Sequence, residues 1–293
     1  MPDVTTDDGV RLFYEECGTG PPILFLHEFG GNYRSWEPQL RYFARRHRCI
    51  AYAARGFPPS EVPSDPGAYS EDRAADDIVS VMRALDLERA HLVGLSMGAT
   101  AALNLVRRHE GLALSLTAAG VGSGASPDLK ARFHAETEAM ARELQDNGMR
   151  AAAERYANGP TRVQLRNKDP RGWKEFHDQL IEHSAQGSAL TMLGVQRRRD
   201  SLYDLSDALA RLRVPILVIA GDEDEPTLDV SLFLKRTMPS CCLTMFPRTG
   251  HTINIEEPDL FNRTVDNFIA TVDAGRWSLR DPDAIPFSVM LGR

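Results

Sequence analysis

The chain has 293 residues, with 34 basic against 41 acidic side chains, a formal net charge of −7 and 42% hydrophobic residues. That length holds one α/β core with an insertion but is short for two large independent domains, and the acidic balance argues against nucleic acid or an anionic membrane as a partner. No window approaches about eighteen uninterrupted apolar residues, and the start, Met1-Pro2-Asp3-Val4, lacks a basic-then-apolar leader pattern.

Val4-Thr5-Thr6 and Val10 to Glu15 alternate around Asp7-Asp8-Gly9, which predicts an antiparallel hairpin. Ile23 to Leu26 is a continuous apolar run, as in a strand buried on both faces. A helix is expected from Ser35 to about Arg46 and a strand from Arg48 to Ala53. After a polar loop through Tyr69, Ser70 starts a helix with Ile78, Val81, Met82 and Leu85 on one face. A strand ending near Leu95, a third helix and a strand over Ala113 to Thr117 follow.

From Gly122 the pattern changes, and residues 122–203 read as a helical insertion without a buried strand. Its apolar positions Phe133, Met140, Trp173 and Phe176 could line a pocket or form its core. The Arg197-Arg198-Arg199 run reads as a solvated helix end. Val214 to Ala220 restores a strand, Leu228 to Met238 a helix, Leu243 to Phe246 the last strand and Pro258 to Val272 the last helix. The tail from Asp273 to Arg293 shows no periodicity. Cys17, Cys49, Cys241 and Cys242 make no metal-type pair, and Cys241-Cys242 should place their side chains on opposite faces of a strand. Reduced thiols in a cytoplasmic protein are expected.

Gly94-Leu95-Ser96-Met97-Gly98 lies between a strand and a helix, the setting of a nucleophile elbow. A serine hydroxyl needs a base within hydrogen-bond reach, and the base needs an orienting acid. Two later strand ends can supply them: Gly221-Asp222-Glu223-Asp224-Glu225 and Gly250-His251. Met97 N–H points where an oxyanion would form.

These motifs, in the order serine, acid, histidine, resemble the α/β-hydrolase superfamily, and within it the capped lipases, lactonases, C–C hydrolases and cofactor-free perhydrolases. The resemblance spans about residues 8–272. It implies a mostly parallel eight-stranded sheet flanked by helices, with a core of residues 1–121 and 204–293 and a helical cap of residues 122–203. By position it makes Ser96 the nucleophile, Asp224 the acid and His251 the base, with Asp222, Glu223 and Glu225 as alternative acids. It makes Phe29 N–H the second oxyanion donor, and His27 a structural brace. His134, His177 and His183 are expected on the surface or along the pocket.

The chain departs from that pattern at Glu28, where the family carries glycine. A carboxylate there would oppose an oxyanion by a few kcal/mol unless neutralised. The expected remedy is a salt bridge to Arg55 or Arg34; the alternative is a direct role with substrate or water. Ala53-Ala54-Arg55-Gly56 lacks the acid that often precedes Arg-Gly, which leaves Arg55 in need of a partner. Glu28, Arg55 and Trp173 are therefore candidate substrate-contacting or supporting residues. The resemblance implies hydrolysis of a small or medium carboxylic ester through an acyl-enzyme. C–C hydrolysis, lactone opening and peracid formation are the alternatives, and a ligand-binding receptor is the reading from another class. No metal or organic cofactor is implied. The partner is a small acyl substrate, with a homodimer left open.

Overall fold

The computed structural model describes residues 2–284; Met1 and residues 285–293, the end of the aperiodic tail, lie outside the described residues. The turn at Asp7-Asp8-Gly9 folds β1 (Asp3–Thr5) back on β2 (Arg11–Cys17), with Val4 opposite Leu12. β3 (Pro22–Leu26) leads through one 3₁₀ turn into α1 (Glu37–Phe43), and β4 (Arg48–Tyr52) follows. The Ser70 hydroxyl caps α2 (Glu71–Ala84) by accepting the Arg73 N–H at 3.0 Å. β5 (Ala90–Leu95), α3 (Met97–Arg108) and β6 (Ala113–Ala119) complete the first half.

The chain then leaves the sheet. α4 (Pro127–Ala157) is broken at Gly148, where φ is +77°, and α5 (Val163–Lys168), α6 (Pro170–Ile181) and α7 (Ala185–Thr191) follow. A π-helical turn over Met192–Gln196 and α8 (Ser206–Ala210) lead back to β7 (Ile216–Gly221). α9 (Glu225–Thr237), β8 (Cys241–Phe246), α10 (Ile253–Glu256) and α11 (Pro258–Asp273) end the regular structure.

The eight strands form one sheet in the order β1-β2-β4-β3-β5-β6-β7-β8, antiparallel at β1/β2 and β2/β4 and parallel elsewhere. Both faces are covered, which is why β3 and β7 are apolar at every position. In β3, Leu24 and Leu26 join the cluster under α2 and α3, while Ile23 and Phe25 pack with Trp36, Phe43 and Phe261 on the other face. Cys241 and Cys242 divide between the same two clusters, and all four cysteines are free.

A third apolar cluster joins Ala141, Leu144, Leu165, Phe176 and Leu180 of the excursion to Phe29, Phe57 and Met97, which lie beyond β3, β4 and β5. The helices between β6 and β7 are thus packed over the carboxyl end of the sheet, where open α/β sheets place their sites. The start of the tail is more ordered than its pattern suggests. Trp277 packs edge-on against Phe268 at 4.9 Å and donates to the Ser240 carbonyl at 3.2 Å. Among the described residues no helix is long and apolar enough to cross a membrane.

Candidate active site

Where β5 meets α3, Ser96 takes φ +52° and ψ −107°. Such a backbone costs about 1–3 kcal/mol and persists only where its surroundings hold it. The Ser96 N–H donates to the Ala119 carbonyl at 2.8 Å, and its carbonyl accepts the Thr100 N–H at 2.9 Å. Space explains both glycines of the motif. A Cβ on Gly94 would lie 2.6 Å from the Ala99 nitrogen, and one on Gly98 would collide with the Leu26 carbonyl. Ser96 lines a cavity of about 590 Å³ together with Phe29, Tyr156, Met192 and His251.

Asp224 and His251 arrive from the ends of β7 and β8. Asp224 is fully buried, and its Oδ2 accepts the Thr227 hydroxyl at 2.9 Å. The same oxygen lies 2.6 Å from His251 Nδ1. That bond assigns the proton to Nδ1 and leaves Nε2 as the acceptor. Burial alone would pull the imidazole down, but the charge and hydrogen bond of Asp224 outweigh it and leave His251 above its ordinary value. Burial would likewise raise Asp224, yet His251, Thr227 and Arg162 together hold it below the usual carboxylate range. The backbone of His251 is fixed by its own N–H, which donates to the Thr161 carbonyl at 3.1 Å, and by the flanking N–H groups of Gly250 and Thr252, which donate to Glu256. Among the described residues no hydrogen bond joins Nε2 to the Ser96 hydroxyl, although both residues line the same cavity. Bonds of this kind are often long in free enzymes and tighten around substrate.

On the loop after β3, His27 Nε2 accepts the Ala54 N–H at 3.0 Å and Nδ1 lies 2.7 Å from the Glu28 carbonyl. Burial pushes His27 down to about 4, so the ring is neutral and braces the loop. The N–H groups of Phe29 and Met97 donate to no protein acceptor among the described residues. Glu28 is buried and ion-paired, but its partner is Arg162, between α4 and α5. The Arg162 guanidinium also donates to Tyr156 Oη at 2.9 Å and sits over the rings of Tyr156 and Phe176 at 5.0 and 5.1 Å. Glu28 Oε2 lies 3.9 Å from His251 Nε2.

The expected bridges to Glu28 are therefore corrected. Arg55 is bidentate to Asp8, at 2.7 and 2.8 Å, and to Asp77, at 2.7 and 3.0 Å. Those two carboxylates replace the acid missing before Arg-Gly, and Arg55 does not line the Ser96 cavity. Arg34 pairs with Glu182. Trp173 is also turned away from the cavity: its indole N–H donates to the Ala157 carbonyl at 2.7 Å and its ring stacks on His177 at 5.6 Å. Met140 and Phe176 belong to the apolar cluster of the excursion, whereas Phe133 lines the cavity. His134 lies beside a smaller pocket, His177 pairs with Glu154, and His183 is buried edge-on to Phe57. The basic run is corrected at one residue: Arg199 turns inward and lines the cavity.

Two contributors escape a sequence reading. Arg162 carries no local signal, because its partner lies 134 residues earlier in the chain. Thr161 acts through a backbone carbonyl, which sequence does not display. Among the described residues, no group of three or more His, Cys, Asp or Glu could hold a metal ion.

A family profile described as "alpha/beta hydrolase fold" matches residues 21–258. The chain is 29% identical over 270 residues to the AB hydrolase superfamily protein YisY of Bacillus subtilis, covering 90% of this chain and 97% of that one. It is 25% identical over 271 residues to 3-oxoadipate enol-lactonase 2 of Acinetobacter baylyi, covering 90% and 95%. A crystal structure of a hydrolase from Pseudomonas aeruginosa superposes with a TM-score of 0.81 at 26% identity, covering 92% of this chain and 97% of that one.

Proposed function

This chain belongs to the α/β-hydrolase family, and we propose that within it the protein is a serine hydrolase of small to medium carboxylic esters, with Ser96, His251 and Asp224 as its triad. The observation that carries this reading is the 2.6 Å bond between Asp224 Oδ2 and His251 Nδ1 in the cavity that Ser96 lines. It fixes the tautomer in which Nε2 can take a proton.

In this mechanism His251 Nε2 removes the Ser96 proton as the oxygen attacks the acyl carbonyl. Asp224 steadies the imidazolium. The unpaired N–H groups of Phe29 and Met97 take the oxyanion, where one such donor is worth about 2.7–4 kcal/mol. His251 then protonates the departing alcohol, activates water against the acyl-enzyme and returns the proton to Ser96. No step calls on a metal or an organic cofactor. Residues 122–203 act as a cap over a core of residues 1–121 and 204–293, shaping the acyl pocket with Phe133, Tyr156 and Met192. The free cysteines fit a cytoplasmic setting.

Lactone opening is the second reading, favoured by the similarity to an enol-lactonase and by identical acyl chemistry at Ser96. A panel of esters, lactones and dicarbonyls followed by mass spectrometry tests both, with Ser96→Ala as the control. Ester or lactone turnover that Ser96→Ala lowers by about 10⁴-fold or more supports the reading. Cleavage restricted to dicarbonyls would replace it with C–C hydrolysis, and binding without turnover would make the protein a receptor.

A further inference from the structure

Among the described charges in the wall of the Ser96 cavity, one is partly withdrawn from water and has no close counter-ion. Neighbouring charges have close partners: Arg132 pairs with Glu136 at 2.7 Å, and Arg197 with Glu138 at 2.6 Å. Glu223, Glu225 and Asp229, which also line the cavity, are exposed to water. Arg199 differs. No carboxylate lies within ion-pair distance of it among the described residues, and Glu71 is the one charge that supports it from further away. Burial pulls Arg199 below its ordinary value, and burial also pushes Glu71 up to about 7, so its support is only partial at neutral pH.

The guanidinium is nonetheless held in place. It donates to Gln196 Oε1 at 2.8 Å and to the Ser123 carbonyl, and it lies 4.9 Å over the Phe133 ring. Gln196, Ser123 and Phe133 line the same cavity. Two neutral acceptors occupy two of the five guanidinium N–H groups, and among the described residues the others have no protein acceptor. A half-buried cation without a counter-ion is costly to keep, whereas a planar fork fixed in a pocket is suited to a carboxylate.

We propose that Arg199 anchors a carboxylate on the substrate, so that the ester or lactone opened at Ser96 is a monoanion with its charge at the Phe133–Gln196 end of the cavity. This rests on the serine-hydrolase reading and adds the substrate class to it. Glu223, Glu225 and Asp229 do not contradict it, because they are exposed to solvent, where water and salt screen charges over about 8 Å.

The test compares kcat/KM for the monomethyl esters of succinate, glutarate and adipate with that for uncharged methyl esters of matched length. In the wild type the anionic ester of at least one length is preferred by about 30-fold, the scale of a buried charge pair. In Arg199→Gln this ratio falls toward one, chiefly through KM, and Arg199→Lys recovers part of it. A wild-type ratio near or below one at every length overturns the proposal without needing a folded variant, and so does a ratio unchanged in Arg199→Gln. Failure of the parent reading looks different: uncharged esters are then not turned over, or are turned over without Ser96. In that event calorimetric titration of Ser96→Ala with glutarate and adipate decides. Binding that Arg199→Gln abolishes supports an anion site, and no binding overturns it.

Discussion

Glu28 and Arg162 form a buried ion pair, with side chains 2% and 1% exposed, that ties the loop after β3 to the segment between α4 and α5. The neighbouring Thr161 carbonyl holds the His251 N–H at 3.1 Å. One short segment of the excursion therefore fixes both the loop of the proposed oxyanion donor and the loop of the proposed base. Arg162 also neutralises the carboxylate that would otherwise oppose an oxyanion.

Breaking this pair from one side should be severe. Arg162→Met leaves a buried carboxylate without a counter-ion, which typically costs 3–5 kcal/mol. Glu28→Gln with Arg162→Met removes both charges and should be less destabilised than Arg162→Met alone. Urea denaturation checks this, and additive losses would show that the two residues are not coupled.

The same pair should move the pH dependence of turnover. Burial lowers His251 and Asp224 raises it; beyond these, Arg162 lowers it and Glu28 raises it, with a net shift upward. The reactive form is the neutral imidazole, so kcat/KM should rise with pH through a midpoint above 6.5, the ordinary value for histidine. Glu28→Gln should move that limb to lower pH and Arg162→Met to higher pH. Limbs that coincide in all three proteins would show that neither charge reaches the base.

The elbow glycines make a stability prediction. Gly98→Ala sets a methyl against the Leu26 carbonyl, backbone that cannot swing aside, and overpacking of this kind costs about 1–3 kcal/mol or more. Gly111→Ala, where a Cβ meets nothing within 4 Å, is the control and should unfold close to the wild type in thermal melts.

Glu71 gives a linkage prediction. Burial raises its folded value to about 7 from 4.5, so the folded state holds its proton more tightly than the unfolded chain. Its contribution to stability is complete below pH 4.5 and is lost as pH rises through 7. Glu71→Gln should therefore melt higher than the wild type at pH 8, with the gap closing toward pH 4. A gap independent of pH would rule out this origin.

The strands along the chain and the three strand-end motifs were legible because each rests on local pattern. β3 reads as buried from Ile23 to Leu26, and Gly94 to Gly98 reads as an elbow from spacing alone. Partners brought together by the excursion were not legible. Glu28 announces a need for a cation, but Arg34, Arg55 and Arg162 are equivalent in sequence, and only the packing of α4 and α5 over the sheet selects among them. Arg199 was masked in the same way by Arg197 and Arg198: the three follow one another in the turn after Met192–Gln196, and only the fold shows which of them faces the cavity.

In the proposed reaction Ser96 carries the acyl group. Rapid quenching of the enzyme with 4-nitrophenyl acetate, followed by peptide mass spectrometry, tests it most directly. An acetyl group is expected on the peptide containing Ser96 during turnover, absent in Ser96→Ala together with the 4-nitrophenolate burst. Sustained ester turnover by Ser96→Ala at the wild-type rate, with no acetyl on that peptide in the wild type, would contradict it.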